Sequence, residues 1–266
     1  MKKMAKVLSA VLALVMIVCM FASCGAKKDV LYVATNAEFK PFETIENGEI
    51  VGFDIDLIKA IAGKLDMEVK LDNMEFDGVI SAVNQGTDDV AISGLTINET
   101  RKKSVDFSDA YFKGAAQILI VAKNDAHYTG KTKAELDEQL KNQTIGVCSG
   151  FTGEAYAKGD EEWGFKAIEG AKVNIYDNIS LAIEDLKNGT INAIIMDDVP
   201  AKESAATDEN KNDIKCIDIP LTVEEYGIAV KKGNTELLDK INKALKELEA
   251  EGELQKIADK WGVKLG

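Results

Sequence analysis

Hydrophobic positions along the chain follow two alternating periods. Short apolar runs or two-residue alternation occur at residues 30–35 (VLYVAT), 67–71, 89–93, 116–122, 144–148, 172–176, 191–196 and 227–230, and predict strands. Between them apolar residues recur every three or four positions, which predicts helices over 54–65, 78–84, 133–140, 152–158, 179–188 and 235–250. The stripe in 54–65 is Ile55, Ile58, Ile61, Ala62 and Leu65, with Asp54 placed as an N-cap. In 235–250, Leu237, Leu238, Ile241, Leu245 and Leu248 form one face, and Gly252 stands where a C-cap belongs. Strands alternating with helices predict an α/β chain whose sheets are parallel and covered on both faces. One unit recurs. Residues 80–93 read helix, then Gly86-Thr87-Asp88-Asp89, then strand; residues 181–197 read helix, then Gly189-Thr190-Ile191-Asn192, then strand. Two such units predict two similarly built lobes. Each ends at polar positions, Thr96 just past the first strand and Asp197 at the end of the second, and open α/β sheets collect ligands at the carboxyl ends of strands.

The amino end breaks this pattern. Lys2, Lys3 and Lys6 precede residues 7–23, which carry no charge, as a secretory leader does. The run is at the short limit for a membrane span. It closes on Phe21-Ala22-Ser23-Cys24-Gly25, small residues before a cysteine, which resembles a bacterial lipobox with Phe21 where leucine is usual. Two readings follow: lipidation of Cys24 with stable anchoring, or plain secretion with Cys24 free. The remaining thiols, Cys148 and Cys216, either form one disulfide or are two small buried residues.

Composition narrows the function. The 266 residues allow one or two domains, and the formal net charge is −13. Three of the lysines belong to the leader, so the rest stands at −16. Such an acidic protein repels phosphate backbones, which argues against nucleic acid as a partner. His127 is the one histidine, so a multi-histidine metal site is excluded, and no metal or cofactor is expected. Arg101 is the only arginine among 32 basic residues. A guanidinium fork grips a carboxylate in a way an ammonium does not, so Arg101 either binds an anion or makes a surface salt bridge within Glu99-Thr100-Arg101-Lys102-Lys103. Asp197 is either a helix cap before Val199-Pro200 or a carboxylate facing a cleft; Phe39, Phe42 and Phe76 are core or ligand walls.

Gly52-Phe53-Asp54-Ile55-Asp56-Leu57, followed by Ile61-Ala62 and Leu65, resembles the signature of the family-3 extracellular solute-binding proteins, the polar-amino-acid receptors of ABC importers. The resemblance runs from Val30 to Trp261. It includes Ala34-Thr35-Asn36-Ala37-Glu38-Phe39-Lys40-Pro41-Phe42-Glu43, Phe76-Asp77-Gly78, Ser93-Gly94-Leu95-Thr96 with Arg101-Lys102-Lys103, Val105-Asp106-Phe107-Ser108, Ser149-Gly150-Phe151-Thr152 and Glu224-Glu225-Tyr226-Gly227-Ile228-Ala229.

The resemblance implies a two-lobed periplasmic-binding-protein-like fold of type II, with two hinge strands and the ligand cleft between the lobes. Residues 1–23 would be the leader and 24–29 the lipidated cysteine and tether. Residues 30–113 with 224–266 would form lobe 1, and 114–223 lobe 2. Arg101 would hold the ligand α-carboxylate together with the amides of Thr96 and Thr152. Asp197 would pair with the α-ammonium, assisted by the carbonyl of Gly94 or Ser93 and the Thr96 hydroxyl. Phe39 and Phe76 would sandwich the side chain, which Asn36, Cys148 and Met196 would select. None of those three is charged, which favours an uncharged polar or neutral amino acid, with a basic one second. The implied partners are a free L-amino acid, an ABC permease and the membrane through a lipid on Cys24, with the protein a monomer outside the cytoplasm. No G-x-x-x-x-G-K-[ST] nucleotide loop occurs. Two rivals remain. One is a cyclohexadienyl dehydratase-like lyase on the same scaffold. The other is a sensor-kinase input domain, against which stands the lack of a further hydrophobic run before Gly266.

Overall fold

The computed structural model describes residues 29–266, so the leader and Cys24 lie outside the described residues. In chain order come β1 (Asp29–Thr35), β2 (Glu38–Phe39), β3 (Glu43–Glu46), β4 (Glu49–Val51), α1 (Phe53–Lys64), β5 (Met67–Asn73), α2 (Phe76–Gln85), β6 (Val90–Ala91), α3 (Glu99–Lys102) and β7 (Val105–Phe107). Next are β8 (Phe112–Ala115), β9 (Gln117–Ala122), α4 (Lys133–Leu140), β10 (Thr144–Cys148), α5 (Thr152–Lys158), β11 (Lys172–Tyr176), α6 (Ile179–Lys187), β12 (Ala193–Asp197), α7 (Asp198–Ala206) and β13 (Ile214–Ile217). The chain finishes with β14 (Glu224–Tyr226), β15 (Ala229–Lys231), α8 (Thr235–Ala250) and α9 (Glu253–Trp261).

Two five-stranded sheets organise two lobes. The first has the order β5-β1-β6-β15-β7, the second β11-β10-β12-β9-β13. Parallel pairing joins β1 to β5 and β6, with Val33 opposite both Leu71 and Val90; Ile145 of β10 likewise faces Val173 and Ala193. The expectation of wholly parallel sheets is corrected. β15 runs against β6 and β7, and β9 against β12 and β13. These two strands enter directly from β8 and β14, which pair with each other, so no helical crossover reverses the chain before them.

Local chemistry sets the ends of the elements. The predicted N-cap role of Asp54 is also corrected. Gly52 caps α1 at φ 145°, where a Cβ would lie 2.0 Å from the Phe42 carbonyl oxygen. The Phe53 and Asp54 amides donate to the Pro41 and Phe42 carbonyls, which draws the helix start back and leaves Asp54 buried inside it. Gly86 ends α2 in the left-handed conformation, and Thr132 with Glu135 makes a capping box on α4. α8 is capped by Glu251, one residue before Gly252, which in turn opens α9 at φ 72°. Its buried face of Ile241, Ala244, Leu245 and Leu248 packs with α9 on α1. Periodicity predicts neither helices α3, α7 and α9 nor the residues of β8 and β14, the two hinge strands that the resemblance implies; α3 and both hinge strands are too short to show a period.

Candidate functional site

The cleft floor forms where the chain leaves β6 early. Gly94, at φ 52°, donates its amide to Asp54 Oδ2 at 2.8 Å, and the Ser93 hydroxyl donates to Glu43 Oε1 at 2.8 Å. A Cβ on Gly94 would sit 2.5 Å from the Phe39 ring, so glycine lets that ring approach the floor closely. The Asn36 amide donates to Ser93 Oγ, tying the end of β1 to the same segment.

Thr96 forms an isolated antiparallel bridge with Tyr226 of β14. The flanking bonds, Gly227 to Leu95 and Ile97 to Glu225, make Thr96 the non-bonded residue of the pair, so its own amide and carbonyl both point away from β14. That carbonyl accepts Arg101 Nη1 at 2.9 Å, so the Thr96 amide faces the same side. Asn98 caps α3 by accepting the Arg101 amide, which sets the arginine's position. Nη2 of Arg101 reaches across the cleft to the Gly150 carbonyl at 3.0 Å. The guanidinium lies between the rings of Phe76 and Trp163, 5.3 and 5.6 Å from their centroids. Burial lowers its pKa to about 10, opposed by the charges of Glu224 and Asp197. A buried cation whose hydrogen bonds go to carbonyls is matched to an anion.

The opposite wall comes from the second lobe. Phe151 precedes α5, Thr152 opens it, and Asp197 ends β12. Asp197 stands at the cap position of α7 but makes no cap bond; its Oδ1 accepts the Tyr226 hydroxyl at 2.7 Å. This decides between its two readings in favour of the cleft. Burial, then the charge of Glu224, raises its pKa to about 7. Glu224 Oε2 accepts the hydroxyls of Thr96 at 2.6 Å and Thr152 at 2.8 Å, one from each lobe; Oε1 accepts Thr222 and Gln117. Between the lobes, Ser149 also donates to Asp77, and Glu162 accepts Thr100 and pairs with Lys103.

Phe39, Phe76, Ser93, Gly94, Thr96, Arg101, Thr152 and Asp197 thus meet around one cavity of about 10 Å³, together with Phe151. That is about the room one water needs, so the lobes must part to admit a ligand. Asn36, Cys148 and Met196 are not in its lining. Asn36 turns its side-chain amide to the Met74 carbonyl; Cys148 and Met196 sit in the hydrophobic core. Cys148 and Cys216 are both free, and burial pushes the Cys148 thiol up to about 12. Arg101 is buried, so the surface-salt-bridge reading does not hold.

Sequence reasoning gave no role to Phe151, Glu224, Tyr226 or Trp163. Phe151 follows a strand as Phe39 and Phe76 do, a signal that was available; its ring lies 5.6 Å from that of Phe39 and 4.4 Å from that of Phe76, filling the place between them. Glu224 offered none, because its neighbour Val223 is 87% exposed while the carboxylate is buried.

Comparison with known proteins points the same way. Residues 31–264 match the model of the bacterial extracellular solute-binding proteins, family 3. The chain is 37% identical over 242 residues to the arginine-binding extracellular protein ArtP of Bacillus subtilis (strain 168), covering 89% of this chain and 87% of that one. It is 32% identical over 236 residues to a probable histidine-binding protein of Neisseria gonorrhoeae, covering 88% and 83%. Among solved structures, an ancestral arginine-binding protein, seen with arginine and with glutamine, is 42% identical with a TM-score of 0.76, over 89% of this chain and 99% of that one.

Proposed function

The chain belongs to the bacterial extracellular solute-binding proteins of family 3, and from that premise we propose that it captures a free L-amino acid between its lobes, cationic amino acids being favoured. It is a binding protein, not an enzyme, and its place is outside the cytoplasm. The observation that carries the ligand reading is the pair of buried charges facing one cleft. Among the described residues, the hydrogen bonds of the Arg101 guanidinium go to backbone carbonyls and those of Asp197 come from neutral donors. A zwitterion supplies what both lack. Its carboxylate displaces the two carbonyls from Arg101 and meets the amides of Thr96 and of Thr152 at the start of α5. Its ammonium pairs with Asp197, the Thr96 hydroxyl and the Gly94 carbonyl. Phe39, Phe76 and Phe151 hold the side chain.

Charge selects the class. Arg101 is one positive charge against the carboxylates of Asp197 and Glu224, and a zwitterion leaves that excess in place. A cationic side chain removes it. Glu38, beside the cleft, shares its surroundings with Glu75 and Asp177; burial first, then those charges, raise its pKa. An uncharged amide such as glutamine is the second reading, favoured by the likeness to the ancestral arginine-binding protein seen with glutamine. A ligand that closes the lobes stabilises the protein, so a thermal-shift screen of the twenty L-amino acids should show arginine raising the Tm by several degrees. No shift from any amino acid would overturn the reading.

In this scheme residues 30–113 with 224–266 act as one lobe and 114–223 as the other, closing on the ligand as a monomer and presenting the closed form to an ABC permease. Cys24 carries the lipid that keeps the protein at the membrane. Palmitate label present in wild type and absent from Cys24→Ala checks the anchor.

A further inference from the structure

Two carboxyl groups beneath the cleft floor have no role in the scheme above. Glu43 of β3 and Asp54 of α1 are wholly buried, and neither has a cationic partner among the described residues. Each uses one oxygen on the floor or its support. Glu43 Oε1 accepts Ser93 Oγ at 2.8 Å; Asp54 Oδ2 accepts the Gly94 amide at 2.8 Å and the Tyr111 hydroxyl at 2.7 Å. The other oxygens, Glu43 Oε2 and Asp54 Oδ1, are shielded from solvent and, among the described residues, receive no donor from any third residue. The Asp54 amide is bonded to the Phe42 carbonyl, one residue before Glu43, and the two carboxyl groups hold the successive residues Ser93 and Gly94, which brings them into contact with each other. Two ionised carboxylates in such contact repel; a single proton turns the contact into a charge-assisted bond.

We propose that Glu43 is a neutral acid donating its O–H to the Asp54 carboxylate, and that this proton-sharing pair positions the Ser93–Gly94 floor for ligand binding. The pair grips the floor at two successive residues, one through a hydroxyl and one through an amide. Through the floor it sets the place of the Phe39 ring, which rests on Gly94, and of Asn36, whose amide donates to Ser93 Oγ. Glu43 and Asp54 are therefore positioning residues; in the ligand scheme it is Gly94 and Phe39 that touch the amino acid, and this part of the inference rests on that scheme.

The electrostatics agree with the geometry. Burial, then the charge of Asp54, push Glu43 well above the usual carboxylate range. Burial raises Asp54 to about 6, restrained by the bonds from Gly94 and Tyr111. Besides the pair itself, Tyr111 is the titratable group facing it among the described residues; it too is pushed well above its ordinary value and stays a donor. Ser93 and Gly94, on the remaining side, do not titrate.

The test compares the full chain with Glu43→Gln, which keeps a donor toward Asp54 and an acceptor for Ser93, and with Glu43→Ala, which keeps neither. Infrared difference spectra, wild type minus Glu43→Gln, should show at neutral pH a protonated-carboxyl band that the substitution removes, apart from the absorption of Asp197 and Asp88 common to both. Arginine titrated calorimetrically should bind Glu43→Gln within about threefold of wild type and Glu43→Ala at least about tenfold more weakly. Above the pH at which Asp197 has ionised, wild-type binding should weaken as pH rises and the shared proton leaves, relative to a Glu43→Gln profile that lacks this loss; that comparison alone decides positioning if Glu43→Ala does not fold. A protonated-carboxyl absorption unchanged by Glu43→Gln overturns the shared proton. A folded Glu43→Ala with wild-type affinity, or matching pH profiles for wild type and Glu43→Gln, overturns the positioning role. Wild type that binds neither arginine nor glutamine, with the band still lost in Glu43→Gln, supports the shared proton and overturns the ligand scheme and the positioning built on it.

Discussion

The two sheets are built alike and deliver different chemistry. Both place a helix, a left-handed glycine and a central strand in the same order, and in both the turn residue clamps the neighbouring strand twice. Asp89 donates its amide to the Tyr32 carbonyl and accepts the Tyr32 amide on Oδ2, each at 3.0 Å. Asn192 does the same to Thr144, at 2.7 and 2.9 Å. Beyond the clamp they part. β6 pairs over only two residues and the chain turns off into Ser93-Gly94-Leu95-Thr96, a neutral floor held from below by two buried carboxyl groups. β12 pairs over five residues and carries Asp197 straight to the cleft. The cation of the site comes from neither strand but from α3, pinned by its Asn98 cap. A shared framework thus fixes where the two walls meet, and strand length decides what each presents.

The sharpest way to break this contrast is at the charges. Arg101→Ala should cost roughly 3–5 kcal/mol in arginine binding, because it strands a ligand carboxylate in a closed cleft. Calorimetry showing less than a threefold loss removes Arg101 from the site.

Asp197→Asn comes next. It should weaken arginine by about 2–3 kcal/mol and a deaminated analogue by far less, and equal effects would contradict the ammonium role. Asp197 has a second signature. Its folded-state pKa, about 7, stands above the unfolded value near 4, so the folded protein holds a proton that the unfolded chain releases. Stability from this group is therefore present at low pH and lost as pH rises from about 4 through about 7. Asp88, raised to about 6 by burial and then by Asp72, adds a loss of the same sign. Tm measured against pH should fall less over this window in Asp197→Asn than in wild type, while arginine affinity in wild type rises as Asp197 ionises.

The smallest effect tests the likeness itself. Asp89→Ala and Asn192→Ala each remove one side-chain bond at equivalent turns, and each should cost about 1 kcal/mol, a Tm loss of about 3 °C. A large loss in one and none in the other would show that the two clamps are not equivalent.

Periodicity in the sequence determined most of the elements, because a buried face leaves a mark at every second or at every third and fourth residue. Helices 133–140, 152–158 and 235–250 and strands 144–148 and 172–176 stand where the pattern put them. The lone arginine was conspicuous in a lysine-rich chain, and the repeated helix–turn–strand unit was visible in letters alone. Tertiary structure alone decided the rest. Strand direction in the middle of each sheet depended on β8 pairing with β14, far apart in sequence. Asp54 reads as a surface cap until Gly52 and the Phe42 carbonyl shift the helix start and bury it. Glu224 has no role in the sequence reading; it gains one when Thr96 and Thr152 arrive from opposite lobes. Hydropathy records whether a side chain is apolar. It does not record which hydroxyls and amides the fold will bring to a carboxylate, and those partners are what make a buried charge tolerable.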